Sequence, residues 1–130
     1  MSIVNTLAGV AVFNLEESLD WYQRLLGRPP DRRPIESVAE WTFGNGGGIR
    51  LFEDSERGGT SSVTLIDTDI DARIGDLTKQ DIEIRSTATT ENSRVAMITD
   101  PDGNQIMFAQ YLDNEVANKD VPNQPRRAVA

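Results

Sequence analysis

Two helical patterns of the same spacing, each led by a strand and a capping residue, constrain this chain more than any other feature. Leu15, Leu19, Tyr22 and Leu26 recur at i, i+4, i+7 and i+11, which is one face of an α-helix. Ile70, Ile74 and Leu77 repeat the spacing of Leu15, Leu19 and Tyr22. Asn14 offers an N-cap to the first pattern, Glu17 completes a capping-box-like pair, and Asp69 stands before the second where Asn14 stands before the first. Gly27 ends the first helix, and Pro29-Pro30 prevents its return. A strand precedes each helix. From Ala8 to Phe13, Val10 and Val12 share one face and Gly9 and Ala11 the other, and in Ser62–Ile66 Val63 and Leu65 share a face. Identity between the halves is slight, so the repeat rests on element order and helix spacing.

More strands follow each helix. Ser37–Phe43 and Gly48–Glu53 flank Gly44-Asn45-Gly46-Gly47, where Asn-Gly signals a hairpin turn. Asp54–Thr60 is charged, short and glycine-containing, as a linker between halves would be. In the second half, Ile82–Ser86, Arg94–Thr99 and Asn104–Tyr111 read as strands. Asp100-Pro101-Asp102-Gly103-Asn104 must turn tightly between the last two, because Pro fixes φ and Gly tolerates positive φ. Each half therefore reads β-α-β-β-β. The expected class is α+β, one domain over residues 1–112 with modules of about 1–57 and 58–112. From Asp113 to Ala130 the few apolar residues lack a period, which implies a flexible tail or, alternatively, an arm that docks on a partner subunit.

Composition removes several chemistries. The chain has no cysteine and no histidine, so disulfides, thiolate metal sites, thiol nucleophiles and Ser-His-Asp triads are excluded. A formal net charge of −8 argues against nucleic acid as a partner and mildly favours a neutral or cationic ligand. No apolar run is long enough to span a bilayer and no signal-peptide pattern follows Met1, so the expected location is the cytoplasm, with no membrane partner.

Two separated stretches carry a family resemblance. Val12-Phe13-Asn14-Leu15-Glu16-Glu17-Ser18-Leu19-Asp20-Trp21-Tyr22, running on to Leu26-Gly27, is similar to a strand followed by D-L-x-x-S-x-x-F-Y and a final L-G. Asn14 stands for the usual Asp and Trp21 for the usual Phe. The closing Asp100-Pro101-Asp102-Gly103-Asn104-Gln105-Ile106 has the wording of the last hairpin of the same group. The chain thus resembles the vicinal-oxygen-chelate superfamily of glyoxalases, extradiol dioxygenases and bleomycin-resistance proteins. That resemblance implies two βαβββ modules forming a curved mixed sheet around a cleft, with the helices outside.

In metal-dependent members four ligands line the cleft, one from the first and one from the last strand of each half. Counting back from Asn14 and Asp69 places two of these positions at Leu7 and Ser62, and the final strands place the others at Arg50 and Met107. These residues are not a ligand set for a divalent ion, so no metal and no cofactor is expected. Alternation then assigns faces. Ile49, Leu51, Val63, Leu65, Ile106 and Phe108 should pack beneath the helices, while Leu7, Gly9, Arg50, Phe52, Ser62, Thr64, Gln105, Met107 and Ala109 should face the cleft. Arg50 is either a solvent-facing charge or an anchor for an anion or carbonyl. Trp41 is either core or a stacking platform for a flat ligand, and Phe43, on the same face, is expected in the core. The expected ligand-binding residues are Leu7, Trp41, Arg50, Phe52, Ser62, Thr64, Gln105 and Met107, with no catalytic residue identified. The favoured function is metal-independent small-molecule binding of the bleomycin-resistance type, by a homodimer that sequesters a drug or metabolite. The alternatives are a metal-independent lyase or isomerase of the same superfamily, using carboxylates such as Glu40 or Glu53, and a structural or regulatory partner protein.

Overall fold

Asn14 caps the first helix as its chemistry dictates: its side-chain oxygen accepts the Glu17 N–H at 3.0 Å. The computed structural model describes residues 1–112, and the tail expected at 113–130 lies outside the described residues. The elements are β1 (Ala8–Val12), α1 (Leu15–Leu26), β2 (Val38–Thr42), β3 (Gly48–Glu53), β4 (Ser62–Ile66), α2 (Ile70–Lys79), β5 (Ser86–Thr89), β6 (Ser93–Thr99) and β7 (Gln105–Tyr111). They form a three-stranded sheet, β1-β3-β2, and a four-stranded sheet, β4-β7-β6-β5. The class is α+β, with the order β-α-β-β in the first half and the expected β-α-β-β-β in the second. Among the described residues no helix is long and apolar enough to cross a membrane.

Two departures from the expected strands have local causes. After α1 the first strand of the module shrinks to one bridge, Arg32 with Glu40, because Pro29, Pro30 and Pro34 deny a ladder its N–H donors. In the second half the strand expected at Ile82–Ser86 forms instead at Ser86–Thr89. Helix α2 ends in a Schellman pattern, with Ile82 N–H on the Leu77 carbonyl at 2.9 Å and Asp81 N–H on Thr78 at 3.1 Å. Asp81 takes the left-handed conformation, φ 57°, usually left to glycine, and the buried Ile82 closes the cap against buried Leu77. Ile82 is thus spent on the helix end.

Two compact units divide the described chain out of chain order. The first is Met1–Val63 with Thr99–Ile106, and the second is Thr64–Ile98 with the chain from Met107. In the first unit β1 runs parallel to β3 and β2 antiparallel, pairing Val10 and Ala39 with Leu51 and Trp41 with Ile49. Val10, Val12, Ala39, Trp41, Ile49 and Leu51 are buried on this face. Helix α1 packs on it through Leu15, Ser18, Tyr22 and Leu25. The buried stripe is therefore centred one position from the Leu15/Leu19/Tyr22/Leu26 reading. Small Ser18 lies inward and Leu19 flanks it half-buried, because a 3.6-residue period lets neighbouring rows share a face. In the second unit Arg73 ties α2 to the preceding loop through Asp67 at 2.7 Å and lies 4.9 Å from the Phe108 ring centre. Arg94 forks onto Asp71 in the first turn of α2 at 2.8 and 2.9 Å.

The turn at Asp100–Asn104 belongs to the first unit and is its polar hub. The buried Asp100 carboxylate accepts from Tyr22 Oη at 2.6 Å, from the backbone N–H groups of Asp102 and Asn104 at 2.9 and 2.8 Å, and from Asn104 Nδ2 at 2.8 Å. Asn104, also buried, passes the connection on: its amide donates to the Ala11 carbonyl at 2.8 Å and accepts the Ser61 N–H at 2.8 Å. Asp102 accepts the Phe13 N–H at 2.8 Å. Gly59 sits so close to the Asp102 carbonyl that a Cβ there would collide with it.

Asp100→Ala is expected to lower stability by at least about 3 kcal/mol in urea unfolding, since it strands several buried donors at once. Tyr22→Phe should cost about 1–2 kcal/mol at neutral pH. Burial first, then the Asp100 carboxylate, raise the Tyr22 phenol far above its ordinary pKa of 10.0. The stability this contributes is complete below that value and declines as pH rises past it, because the unfolded chain then loses a proton that the folded chain keeps. Unfolding midpoints of the parent should therefore fall between neutral pH and strong alkali more steeply than those of Tyr22→Phe. Equal slopes would show that the phenol is not held protonated by the fold.

Candidate functional site

Opposite the helix-covered face, the β1-β3-β2 sheet presents Gly9, Glu40, Arg50 and Phe52, whose registers place Gly9 and Glu40 beside Arg50. Leu7 precedes β1 and leans over Gly48 on the same side. A Cβ on Gly9 would stand 3.2 Å from Phe52 Cε1, so the missing side chain leaves room for the ring close to β1. The Arg50 guanidinium carbon is 5.4 Å from the Phe52 ring centre and that of Arg57 is 5.2 Å. Both are within cation–π range. Glu40 lies 3.8 Å from Arg50 Nε, and Asp54 pairs with Arg57 Nε at 2.7 Å. The Arg57 guanidinium and backbone amide hold the Asp54 carboxyl below its usual range. The result is a half-exposed aromatic ring between two guanidinium groups, each steadied by a carboxylate. Such a face can stack a flat apolar group and offer N–H donors to an anionic or carbonyl oxygen.

The expected ligand-binding residues separate. Leu7, Arg50 and Phe52 share this face of the first unit, and Ser62 and Gln105 belong to the same unit as exposed residues. Thr64 and Met107 belong to the second unit, Met107 half-buried between buried Ile106 and Phe108, and Thr64 exposed between buried Val63 and Leu65, the latter expected in the core but half-buried. Trp41 does not join them. It is fully buried on the opposite face, its indole N–H donating to the Arg28 carbonyl at 3.0 Å and its ring 6.3 Å from that of Tyr22. Phe43, expected in the core, is half-buried, since the strand has ended at Thr42. Ala109, expected on the cleft face, is buried. Arg57 was not among the expected residues because Asp54–Thr60 reads as a linker. Its signal is the Asp54-x-x-Arg57 spacing, in which Asp54 Oδ1 accepts the Glu56 and Arg57 N–H groups at 3.0 Å and turns Arg57 back toward Phe52.

The family model of the Glyoxalase/Bleomycin resistance protein/Dioxygenase superfamily matches residues 3–108. The chain belongs to this superfamily. Among solved structures it is similar to a glyoxalase/bleomycin resistance protein from Catenulispora acidiphila DSM 44928, with 34% identity and a TM-score of 0.77 over 83% of this chain and 98% of that one. It shares the fold of TnmS3, an antibiotic binding protein from Streptomyces sp. CB03234, with 24% identity and a TM-score of 0.72 over 85% of this chain and 98% of the other. A second glyoxalase/bleomycin resistance protein from that Streptomyces strain matches at 24% identity and a TM-score of 0.69, covering 81% and 98%. A search of curated proteins finds no match.

The metal chemistry implied by the vicinal-oxygen-chelate resemblance does not fit the side chains present. Leu7 offers no donor atom, and Met107 and Ser62 offer a thioether and a hydroxyl. Arg50 places a permanent cation there, with Glu40 as its partner. Among the described residues no group of three or more His, Cys, Asp and Glu side chains is placed to hold an ion. Trp41→Phe is expected to cost about 1–3 kcal/mol of stability in urea unfolding, from lost packing and a lost hydrogen bond. It should leave any ligand response of the Phe52 face unchanged. A selective loss of ligand binding at normal stability would move Trp41 back into the site.

Proposed function

We propose that this superfamily member is a metal-independent small-molecule-binding protein, a cytoplasmic homodimer that sequesters a drug or metabolite. The observation that carries the reading is the Phe52 ring, seated on Gly9 and flanked by Arg50 and Arg57. A half-exposed aromatic with cationic donors on either side suits an organic ligand that has both flat apolar surface and a carboxylate, phenolate or carbonyl group. Metal independence rests on the side-chain chemistry at Leu7, Arg50, Ser62 and Met107. Leu7 extends the apolar wall, and Ser62 and Gln105, of the same unit, are the further contacts in this reading. TnmS3, which has this fold, is an antibiotic binding protein. The dimer rests on the bleomycin-resistance resemblance, whose members bind drugs in clefts shared by two subunits.

A panel of flat organic acids and aromatic drugs screened by thermal shift tests this directly. A ligand at a hundredfold excess over its dissociation constant should stabilise the parent by about 2.7 kcal/mol. Arg50→Glu and Phe52→Ala should each weaken binding about tenfold, leaving about 1.4 kcal/mol at the same concentration. If both variants respond as the parent does, the ligand sits elsewhere. Elemental analysis after dialysis should find no stoichiometric divalent metal, and chelator should leave the thermal midpoint unchanged. One tightly held transition metal per chain would overturn the metal-independent reading.

A further inference from the structure

We propose that Arg50 and Glu40 together form a donor–acceptor notch that selects a primary carboxamide or a lactam over a carboxylate. The inference rests on the binding reading above and narrows its ligand to a neutral carbonyl with an N–H on the same edge. Glu40 and Arg50 stand directly opposite each other on β2 and β3, yet Glu40 Oε2 stays 3.8 Å from Arg50 Nε, beyond hydrogen-bond range. Elsewhere in the chain such pairs close, and Arg28, Arg57, Arg73 and Arg94 reach their carboxylates at 2.7–2.9 Å. Among the described residues neither the Arg50 nor the Glu40 side chain makes a hydrogen bond.

Glu40 is held in place by its backbone. On one side it pairs with Arg50. On the other its N–H donates to the Arg32 carbonyl at 2.9 Å, and its carbonyl accepts from Asp31 and Arg32 at 2.8 and 3.2 Å. Its side chain is 14% exposed, against 42% for Arg50. A carboxylate so covered gains more from a donor than one in open water does. Among the described residues no sealed side-chain polar atom lacks a partner, so the unbonded Glu40 oxygens are open to a ligand.

An amide edge fits between the two groups, its oxygen accepting from Arg50 Nε and its N–H donating to Glu40 Oε2. A carboxylate in the same place would set its second oxygen against Glu40, and a ketone would leave Glu40 without a donor. The notch also adjoins the aromatic wall. Arg50 and Phe52 alternate onto one face of β3, with 5.4 Å between the guanidinium carbon and the ring centre. Ala11 and Val38 lie buried in register on either side of Phe52. A fused ring stacked on Phe52 therefore brings an amide at its rim to Arg50 and Glu40. The Arg57–Asp54 pair offers no such gap, being closed at 2.7 Å with the other Asp54 oxygen on two backbone N–H groups at 3.0 Å.

Three probes with one ring system test the notch: 2-naphthamide, 2-naphthoate and 2-acetonaphthone. Titrated into the isotopically labelled full chain and followed by NMR, 2-naphthamide should bind about tenfold tighter than either of the others. The Arg50 Nε–H signal and the Gly9 and Phe52 amide signals should move together. Glu40→Gln should reverse the preference between amide and carboxylate, because the new side-chain amide donates to the second carboxylate oxygen. Comparing two probes within one variant cancels any change in folding. Equal affinities, a parent that prefers 2-naphthoate, or a preference that Glu40→Gln leaves unchanged overturn the notch, while shifts at Gly9 and Phe52 still uphold the binding face. If no probe moves the Gly9, Phe52 or Arg50 signals at millimolar concentration, both the notch and the Phe52 face are overturned.

Discussion

Four hydrogen bonds converge on one buried carboxylate, and much of the first unit depends on them. Asp100 is all but inaccessible, yet among the described residues its hydrogen-bond donors are all uncharged, coming from Tyr22, Asp102 and Asn104. A buried carboxylate is tolerable when its lone pairs are met in this way, and costly if one donor is lost. The same five-residue turn reaches outward through Asn104 to Ala11 and Ser61 and through Asp102 to Phe13. It therefore fastens residues near the end of the described chain to the first strand. That explains why Asp-Pro-Asp-Gly-Asn is a structural part rather than a binding loop.

The candidate face depends on this anchoring at one remove. β1 is held from outside by Ser61, Gly59 and Asn104 and from inside by its parallel pairing with β3. With β1 so fixed, Gly9 leaves a shallow bed for the Phe52 ring. The two guanidinium groups beside that ring are unusual in a chain of net charge −8, which carries 21 acidic against 13 basic residues. Glu40 and Asp54 offset them locally without covering the ring. The face is thus neutral in sum but rich in donors, a combination that favours a ligand with a polar edge over a bare ion.

Edge management separates the two sheets. In the first unit side chains of loop residues occupy the outer rim of β2, and Arg28 with the Thr42 amide holds the Asp31 carboxyl down at about 2. Such a rim cannot pair with another strand. Among the described residues β5, the outer strand of the other sheet, has all four of its residues exposed and carries no comparable set of side chains along its rim.

The helices, their caps and the hairpin turns were legible in the sequence because each is decided within a few residues. Asn14 and Asp69 accept the N–H groups three positions on, Gly27 takes φ 80°, and Gly46 and Gly47 take φ 101° and 78°. The absence of histidine and cysteine decided much of the chemistry in advance, and the two separated motifs pointed to the superfamily. Alternation also sorted Ile49 and Leu51 from Arg50 and Phe52. It could not say which side of β2 would be covered, since a strand with a period of two defines two faces and names neither. Only the register of Trp41 with Ile49 put that ring in the core under α1. In the same way, only the folded loop could show that Arg57 returns to Phe52. Whether Ile82 opens a strand or closes a helix was decided only in the fold, where Leu77 and Ile82 are both buried and the Ile82 N–H closes the cap on the Leu77 carbonyl.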